Sequence, residues 1–108
     1  MKTFRLAVIA TIAIAGAAPA ADWPAEDLWY KCKGCHGMDG KANTKLGVKE
    51  KIPDLSSPKW QTENSDKTIT KVIANGSEKN PKMKAYKEIF SPTEIASLIP
   101  YIRNLKDK

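Results

Sequence analysis

The amino-acid sequence predicts an all-α fold. No stretch shows the alternation of apolar and polar residues that marks a half-buried strand. Residues 66–76 read DKTITKVIANG, in which Ile69, Val72 and Ile73 recur on one helical face and the Asn-Gly pair ends the helix. A second helix is indicated at 91–105, so the two clearest elements of the chain are both helices.

The helix near the C-terminus has a defined start and an apolar face. Ser91 can cap it, Pro92 suits the first helical position, and Glu94 completes a capping box. The apolar residues that follow recur at helical spacing: Ile95, Leu98, Ile99, Ile102 and Leu105. Pro100 removes one backbone hydrogen bond and predicts a bend there.

The rest of the chain predicts short helices separated by long loops. Residues 25–35 lack a helix breaker until Gly34 and predict three turns of helix, which Gly37 and Gly40 end. Residues 38–64 and 77–90 are irregular, and loops of such length are usually functional or wrapped around something. We therefore expect three to four short helices and two loops that need a reason to be ordered.

The first twenty residues are expected to be a cleaved secretory signal peptide. Lys2 and Arg5 precede an apolar run over 6–17, and 18–20 read APA, the small-residue pattern that signal peptidase accepts. The alternative is an uncleaved membrane anchor, but spanning a bilayer takes about 20 apolar residues. Residues 21–108 are then expected to form a single domain.

The charge balance bears on possible partners. The chain has 18 Lys and Arg residues against 12 Asp and Glu, a formal net charge of +6. Lys2 and Arg5 lie in the predicted signal segment, which leaves Arg103 as the only arginine after it. This composition disfavours nucleic-acid binding, which calls for a clustered basic surface. It is compatible with acidic partners.

The chain contains two cysteines and one histidine, and all three lie in CKGCH at 32–36. A disulfide across so small a loop would add little stability, and a thioredoxin-like redox pair would follow a strand. A zinc site would need four protein ligands, so a carboxylate would have to complete it. These three alternatives fit the surroundings less well than covalent haem attachment, for which Cys-x-x-Cys-His is a specific signal.

Helical geometry explains why this spacing suits haem. Cys32, Cys35 and His36 stand at i, i+3 and i+4, so a helix places them on one face. Both thiols can then bond to the two vinyl groups on one edge of the porphyrin, while the imidazole reaches the iron from the same side. One five-residue segment thereby holds the macrocycle and supplies an axial ligand.

With this motif the chain resembles the small class I cytochromes c. The resemblance runs in order through CKGCHG, IPDL at 52–55, ANG at 74–76, NPKMKAY at 80–86 and a final helix with EIASLIPYIRNL. It implies that residues 21–108 form one cytochrome c domain, whose long loops wrap around one covalently bound haem c. It also implies that Leu28 or Trp29 packs against Tyr101 where the terminal helices cross.

Met38 and Met83 are the candidates for the second axial ligand, since residues 21–108 contain no second histidine. Met38 follows His36 too closely to reach the other face of the ring. Met83 lies far downstream between two helices, and the resemblance places the distal methionine there. The proline that commonly follows this methionine in the family is replaced by Lys84.

The resemblance also implies roles for Pro53 and Trp60. The backbone carbonyl of Pro53 would accept the second N–H of His36 and hold the orientation of its ring. Alternatively, Pro53 is only a rigid loop corner. The indole N–H of Trp60 would donate to a haem propionate, with an ordinary core position as the alternative.

A haem ligated by His36 and Met83 has no open coordination position, so we expect a one-electron carrier and not an enzyme. The alternative is a haem-based sensor or small-gas-binding module with a weakly ligated distal site. We expect a periplasmic monomer without a stable membrane anchor that exchanges electrons with redox proteins. Five lysines beside the ligands could steer acidic partners, or could form an ordinary solvated surface: Lys31, Lys33, Lys82, Lys84 and Lys87.

Overall fold

The computed structural model describes residues 21–107, and every regular element within them is helical. The predicted signal segment at 1–20 lies outside the described residues. The all-α class is confirmed for the part of the chain that the structure describes. None of the helices in that part is both long enough and apolar enough to cross a bilayer.

Six short α-helices and two 3-10 turns follow one another along residues 21–107. In chain order they are α1 (Ala25–Leu28), a 3-10 turn (Trp29–Lys31), α2 (Lys33–His36), α3 (Lys45–Lys49), α4 (Pro58–Glu63), α5 (Asp66–Asn75), α6 (Pro92–Asn104) and a final 3-10 turn (Leu105–Asp107). The described residues therefore contain more helices than the three to four expected, and the additional ones arise in two places.

The continuous helix predicted at 25–35 is wrong, because this stretch is divided into α1, a 3-10 turn and α2. The break falls at Cys32, whose φ of −106° departs from the helical value, which is about −63°. The amide of Cys32 donates to the Trp29 carbonyl at 2.8 Å, the i to i−3 bond of a 3-10 turn. The His36 amide then donates to the Cys32 carbonyl at 2.9 Å, so α2 begins within the CKGCH segment.

The irregular loop predicted over 38–64 is wrong in part, because α3 and α4 lie within it. Each begins at a side-chain cap. The Thr44 hydroxyl accepts a hydrogen bond from the Gly47 amide, and the Ser57 hydroxyl accepts one from the Trp60 amide. Helices of five and six residues are too short to produce a periodic apolar pattern.

The two best-signalled helices are confirmed. Ser65 caps α5, and Gly76 ends it with a φ of 85°. The reciprocal bonds between Ser91 and Glu94 form the capping box of α6. Helix α6 continues through the exposed Pro100 to its end. The second predicted irregular stretch, 77–90, contains no helix.

Helix α6 forms the centre of the fold, since α1 and α5 both pack against it. The apolar face predicted for α6 is buried. Trp29 packs against Tyr101 of α6 with ring centroids 5.2 Å apart, which confirms the expected crossing of the terminal helices. The core comprises Leu28, Trp29, Leu55, Ile69, Ile73, Tyr86, Phe90, Ile95, Leu98, Ile99, Ile102 and Leu105.

Glu94 ties the segment before α1 to the start of α6. Its carboxylate accepts hydrogen bonds from the Ser91 amide at 2.8 Å and from the Trp23 amide at 2.9 Å. The Ser91 hydroxyl also lies 2.7 Å from the Asp22 carboxylate. The bonds from the amides of Ser91 and Trp23 hold the pKa of Glu94 below its ordinary value. This carboxylate therefore joins the first described residues to the start of α6.

Candidate functional site

One cavity of about 390 Å³ brings together all six predicted site residues: Cys32, Cys35, His36, Pro53, Trp60 and Met83. Cofactor and small-molecule sites typically occupy about 300–1000 Å³, so the cavity is of the right size for a large organic group. Apolar side chains of α5 and α6 form much of its lining, among them Ile69, Ile73, Leu98 and Ile102. Residues that are distant in sequence therefore meet around a single apolar space.

The first boundary of the cavity, here called the attachment wall, consists of residues 29–36. Amides of Cys35 and His36 both donate to the Cys32 carbonyl, at 3.3 and 2.9 Å. This turn leaves both thiols and the imidazole bordering the cavity. The two cysteines are half-buried free thiols. Within residues 21–107 no cluster of three or more His, Cys, Asp and Glu side chains forms, as a closed zinc site would need.

Burial sets the protonation of the groups on the attachment wall. Desolvation, and to a smaller extent the neighbouring Cys35, raises the pKa of the Cys32 thiol to about 11. Burial lowers the pKa of the His36 imidazole below its ordinary value. His36 is therefore neutral at physiological pH, which is the form that ligates a metal.

The Nδ1 atom of His36 is buried, and no group among the described residues hydrogen-bonds to it. The bond expected between His36 and the carbonyl of Pro53 is thus not formed in this structure. Pro53 nevertheless borders the same cavity as His36. Its role as the acceptor that orients the ring stays a prediction.

Helix α3 packs directly against the attachment wall. The Thr44 hydroxyl donates to the Cys35 carbonyl at 3.0 Å. A Cβ atom on Gly47 would lie 2.6 Å from that same carbonyl oxygen and still closer to the carbonyl of Ala42. Only glycine permits so close an approach of two backbones. The backbone at Cys35 is therefore held by a neighbour that cannot carry a side chain at this point.

Trp29 is a cavity residue that the sequence reasoning assigned only to helix packing. Its indole borders the cavity, and its ring centroid lies 5.9 Å from that of His36. Its Nε1 donates to the Gly37 carbonyl at 2.9 Å. The signal was present in the spacing, because Trp29, Cys32 and His36 stand at i, i+3 and i+7, which is one face if the helix predicted at 25–35 extends to His36.

A second boundary, here called the methionine loop, consists of residues 77–86. The Met83 amide donates to the Asn80 carbonyl at 3.0 Å, and its carbonyl accepts from the Ser77 amide at 3.1 Å. Gly76 permits this approach, because a Cβ atom there would lie 2.9 Å from the Met83 oxygen. Met83 is half-buried, borders the cavity and packs against the hydrophobic core.

Tyr86 links the methionine loop to the attachment wall and was not foreseen from the sequence. Its amide donates to the Ile73 carbonyl of α5 at 2.9 Å. Its hydroxyl donates to the Lys31 carbonyl at 3.4 Å, and its ring stacks on Phe90 at 5.0 Å between centroids. Burial raises its pKa. The sequence signal was its position, since an aromatic residue three positions after the proposed ligand Met83 lies close to the site.

The remaining predicted residues differ in their surroundings. Trp60 lies in the first turn of α4, half-buried against the core, and borders the cavity. Met38, by contrast, is 49% exposed and does not border the cavity. The structure therefore brings Met83, and not Met38, to the site.

Lysines surround the cavity, although not all of those predicted. Lys31 and Lys82 border it, whereas the exposed Lys33, Lys84 and Lys87 do not. Two further lysines that the sequence reasoning did not single out also border it, Lys51 and Lys79. They were missed because loop lysines have no periodic pattern that assigns them to a surface.

This donor set fits a haem better than a bare metal ion. Two free thiols and a neutral imidazole within five residues border an apolar cavity of cofactor size. Those are the requirements of covalent attachment through thioether bonds together with ligation of the iron. The fold and this site define a small monohaem c-type cytochrome.

The chain belongs to a family described as cytochrome c oxidase, cbb3-type, subunit III, whose model matches residues 20–102. It is also similar to the cbb3-type cytochrome c oxidase subunit FixP of Azorhizobium caulinodans, with 36% identity over 90 residues. That match covers 83% of this chain but only 29% of FixP. The chain thus corresponds to less than a third of that relative.

Solved structures agree with the assignment. The KustC0563 c-type cytochrome superposes with a TM-score of 0.68 at 32% identity, over 77% of this chain and 98% of that one. A mutant of the same cytochrome, with one tyrosine replaced by phenylalanine, gives a TM-score of 0.67 at 32% identity, over 77% of this chain and 99% of the mutant. The chain is therefore a cytochrome c domain, which is an electron-transfer module that carries haem c.

Proposed function

We propose that this protein is a periplasmic monohaem cytochrome that passes single electrons between redox proteins. The observation that carries the proposal is that Met83 borders the same apolar cavity as Cys32, Cys35 and His36. Haem iron held by an imidazole and a thioether exchanges one electron between its ferrous and ferric states. With both axial positions taken by the protein, no position is left for a substrate.

Each residue has a separate task in this proposal. Cys32 and Cys35 form the two thioether bonds, and His36 supplies the proximal ligand as a neutral imidazole. Met83 supplies the distal ligand, and the backbone bonds from Ser77 and to Asn80 position it. The apolar side chains of α5 and α6 exclude water from the cavity, which helps to set the reduction potential.

Pro53 and Trp60 complete the proposed site. The Pro53 carbonyl would accept the free N–H of His36 after a small adjustment of the loop at 51–54, since both residues border the cavity. Trp60 is half-buried at the cavity, and its indole N–H would donate to a haem propionate. Both roles fix the orientation of bound groups without taking part in electron exchange.

The proposed partners are redox proteins, and an oxidase of the cbb3 type is a candidate because of the similarity to FixP. Lysines at the cavity favour an acidic contact surface on the partner. Raising the salt concentration from about 0.01 to 1 M shortens the screening length from about 30 to 3 Å. Electron-transfer rates with an acidic partner should therefore fall as salt rises.

Matched lysine variants test this steering. Lys82→Ala should lower the rate at low salt, because Lys82 borders the cavity. Lys67→Ala should have little effect, because Lys67 is exposed on α5 and does not border the cavity. Equal effects of the two substitutions, or rates that do not depend on salt, would contradict steering.

Residues 1–20 are proposed to be a signal peptide that is removed on export, which leaves 21–108 as the mature, monomeric domain. The positive residues, the apolar run and the APA sequence support this proposal. Mass spectrometry of the exported protein would identify its first residue. Recovery of residues 1–20 in the periplasmic product would contradict the cleavage.

Absorption spectra and a redox titration of the purified holoprotein test the carrier function. We expect a low-spin protein in both oxidation states, a weak far-red band from the bond between sulfur and ferric iron, and a single one-electron transition. A high-spin ferrous protein that binds carbon monoxide without any substitution would contradict the proposal. That result would instead support the gas-binding alternative.

A further inference from the structure

Trp29 contacts the ring of His36, the proposed proximal ligand, and the backbone of the next residue. Its ring centroid lies 5.9 Å from that of the imidazole, with a tilt of 38°. Aromatic pairs typically pack with centroids about 4.5–7 Å apart. Its Nε1 donates to the carbonyl of Gly37, the residue that follows His36, at 2.9 Å. One side chain therefore packs beside the ligand ring and also bonds to the backbone next to it.

The indole is itself held in place. Trp29 is 2% exposed, and its ring also packs against Tyr101 of α6 at 5.2 Å between centroids. Gly37 has a φ of 81°, and its amide donates to the Lys33 carbonyl at 2.8 Å, so the acceptor of the indole bond is also restrained. Trp29 thus contacts both α6 and the imidazole.

In this structure the bond from His36 to Pro53 proposed above is not formed, so packing is what restrains the imidazole. A ligating histidine normally donates its second N–H to a carbonyl or a carboxylate, and that bond determines the plane of the ring. In the described part of the chain Nδ1 of His36 has no such partner. The packing of Trp29 is a separate restraint on the same ring, present with or without the bond to Pro53.

We propose that Trp29 is a positioning residue for His36. The indole holds the plane of the imidazole, and in the holoprotein that plane would set how His36 overlaps with the iron. This proposal rests on the proposed function, because it requires His36 to ligate haem iron. It gives Trp29 a role beyond its packing between the terminal helices.

Nuclear magnetic resonance of the ferric holoprotein tests the proposal directly. The order of the four haem-methyl resonances depends on the plane of the axial imidazole and on the orientation of an axial thioether, so the same Trp29 substitutions in a Met83→Ala background isolate the imidazole. Trp29→Leu removes the aromatic face and should change that order and shift the midpoint potential. Trp29→Phe keeps an aromatic ring but loses the N–H, so the same changes should be smaller. If Trp29→Leu does not take up haem, the order of the haem-methyl resonances in Trp29→Phe tests the proposal.

Two control variants separate positioning from general destabilisation. Ile95→Ala empties a buried position of α6 that does not border the cavity, and Trp23→Leu removes a tryptophan that is 66% exposed. Both should keep the wild-type order of the methyl resonances. The proposal is wrong if the Trp29 variants also keep that order, or if Ile95→Ala changes it equally.

The same experiment distinguishes a failure of this proposal from a failure of the proposed carrier function. A high-spin wild-type protein would contradict the proposed carrier. The methyl resonances of a high-spin ferric haem still report the plane of its one imidazole, so the effect of Trp29 is measured in either case.

Discussion

The attachment wall and the methionine loop border the same cavity but are held in different ways. The attachment wall consists of consecutive helical turns, and buried groups support it. Trp29 is 2% exposed, and the backbone of Gly47 lies against the carbonyl of Cys35. Displacing any of these groups would disturb several buried contacts at once.

The methionine loop contains no helix and is held mainly by single backbone bonds. Met83 has one bond to Asn80 and one from Ser77, and the neighbouring Lys82 and Lys84 are exposed. Regions with few buried contacts open more easily than the core. We propose a division of labour, in which the attachment wall keeps the haem and supplies its proximal ligand, whereas the methionine loop supplies the distal ligand.

The largest expected effect comes from breaking the attachment wall. Substituting both cysteines, Cys32→Ala together with Cys35→Ala, should abolish covalent haem, because no other thiol exists in the chain. Haem staining of the denatured protein on a gel measures the outcome. Lys33→Ala, in the same segment, should retain full staining. Covalent haem in the double variant would overturn the assignment of the attachment residues.

Breaking the methionine loop should have a different outcome. Met83→Ala should leave the haem covalently attached but remove the distal ligand, so the low-spin state should be lost almost completely and carbon monoxide should bind. Absorption spectra in both oxidation states measure this change. Met38→Ala is the control, because Met38 is exposed and does not border the cavity. An unchanged spectrum of Met83→Ala would mean that another group ligates the iron.

A smaller effect is expected from the glycine that supports Met83. Gly76→Ala places a Cβ atom 2.9 Å from the Met83 carbonyl oxygen at a φ of 85°. Strain in such a glycine-only region costs about 1–3 kcal/mol. The free energy of unfolding should fall by that amount, and the far-red sulfur band should weaken as Met83 moves.

Gly34→Ala is the matched control on the attachment wall. Gly34 lies in α2, and an added Cβ atom there would meet nothing within 4 Å. Alanine in a helix is favoured over glycine by about 0.5–1 kcal/mol, so this variant should be slightly more stable than the wild type. Denaturant unfolding measures both free energies. If Gly76→Ala and Gly34→Ala lowered the free energy of unfolding equally, the attachment wall and the methionine loop would not differ in this respect.

The smallest effect concerns acid stability outside both regions. The pKa of Glu94 is lowered in the folded chain by bonds from the Ser91 and Trp23 amides. The unfolded value is about 4.3, so the carboxylate stabilises the protein above that pH. Its contribution is lost as the pH falls through the lower, folded pKa. Glu94→Gln should therefore flatten the acid side of a plot of unfolding free energy against pH.

The absorption spectrum of Glu94→Gln shows whether the substitution disturbs the haem site. Because Glu94 holds the segment before α1 and does not border the cavity, the far-red band should not change in Glu94→Gln at neutral pH. If the wild type and Glu94→Gln lose the same unfolding free energy as the pH falls, a group other than Glu94 causes the loss.

The sequence predicted which residues lie together better than it predicted the path of the chain, and the roles of those residues toward haem stay predictions. All six proposed site residues border one cavity, since the spacing in CKGCH and the order of the later segments carry that information. The helix expected at 25–35 was wrong because a 3-10 turn and a helix use the same residue types. The caps at Thr44 and Ser57 are local signals, but α3 and α4 are too short to show periodicity.

The sequence by itself predicted the chemistry of attachment, because two thiols and an imidazole at this spacing lie within a single turn of the chain. It also determined the ends of α5 and α6, since the caps and stops are contacts between residues a few positions apart. Only the tertiary structure decided that Lys51 and Lys79 border the cavity and that Tyr86 reaches the Lys31 carbonyl. Such contacts depend on how α6 packs against α1 and α5, and burial between distant segments leaves no regular spacing in the sequence.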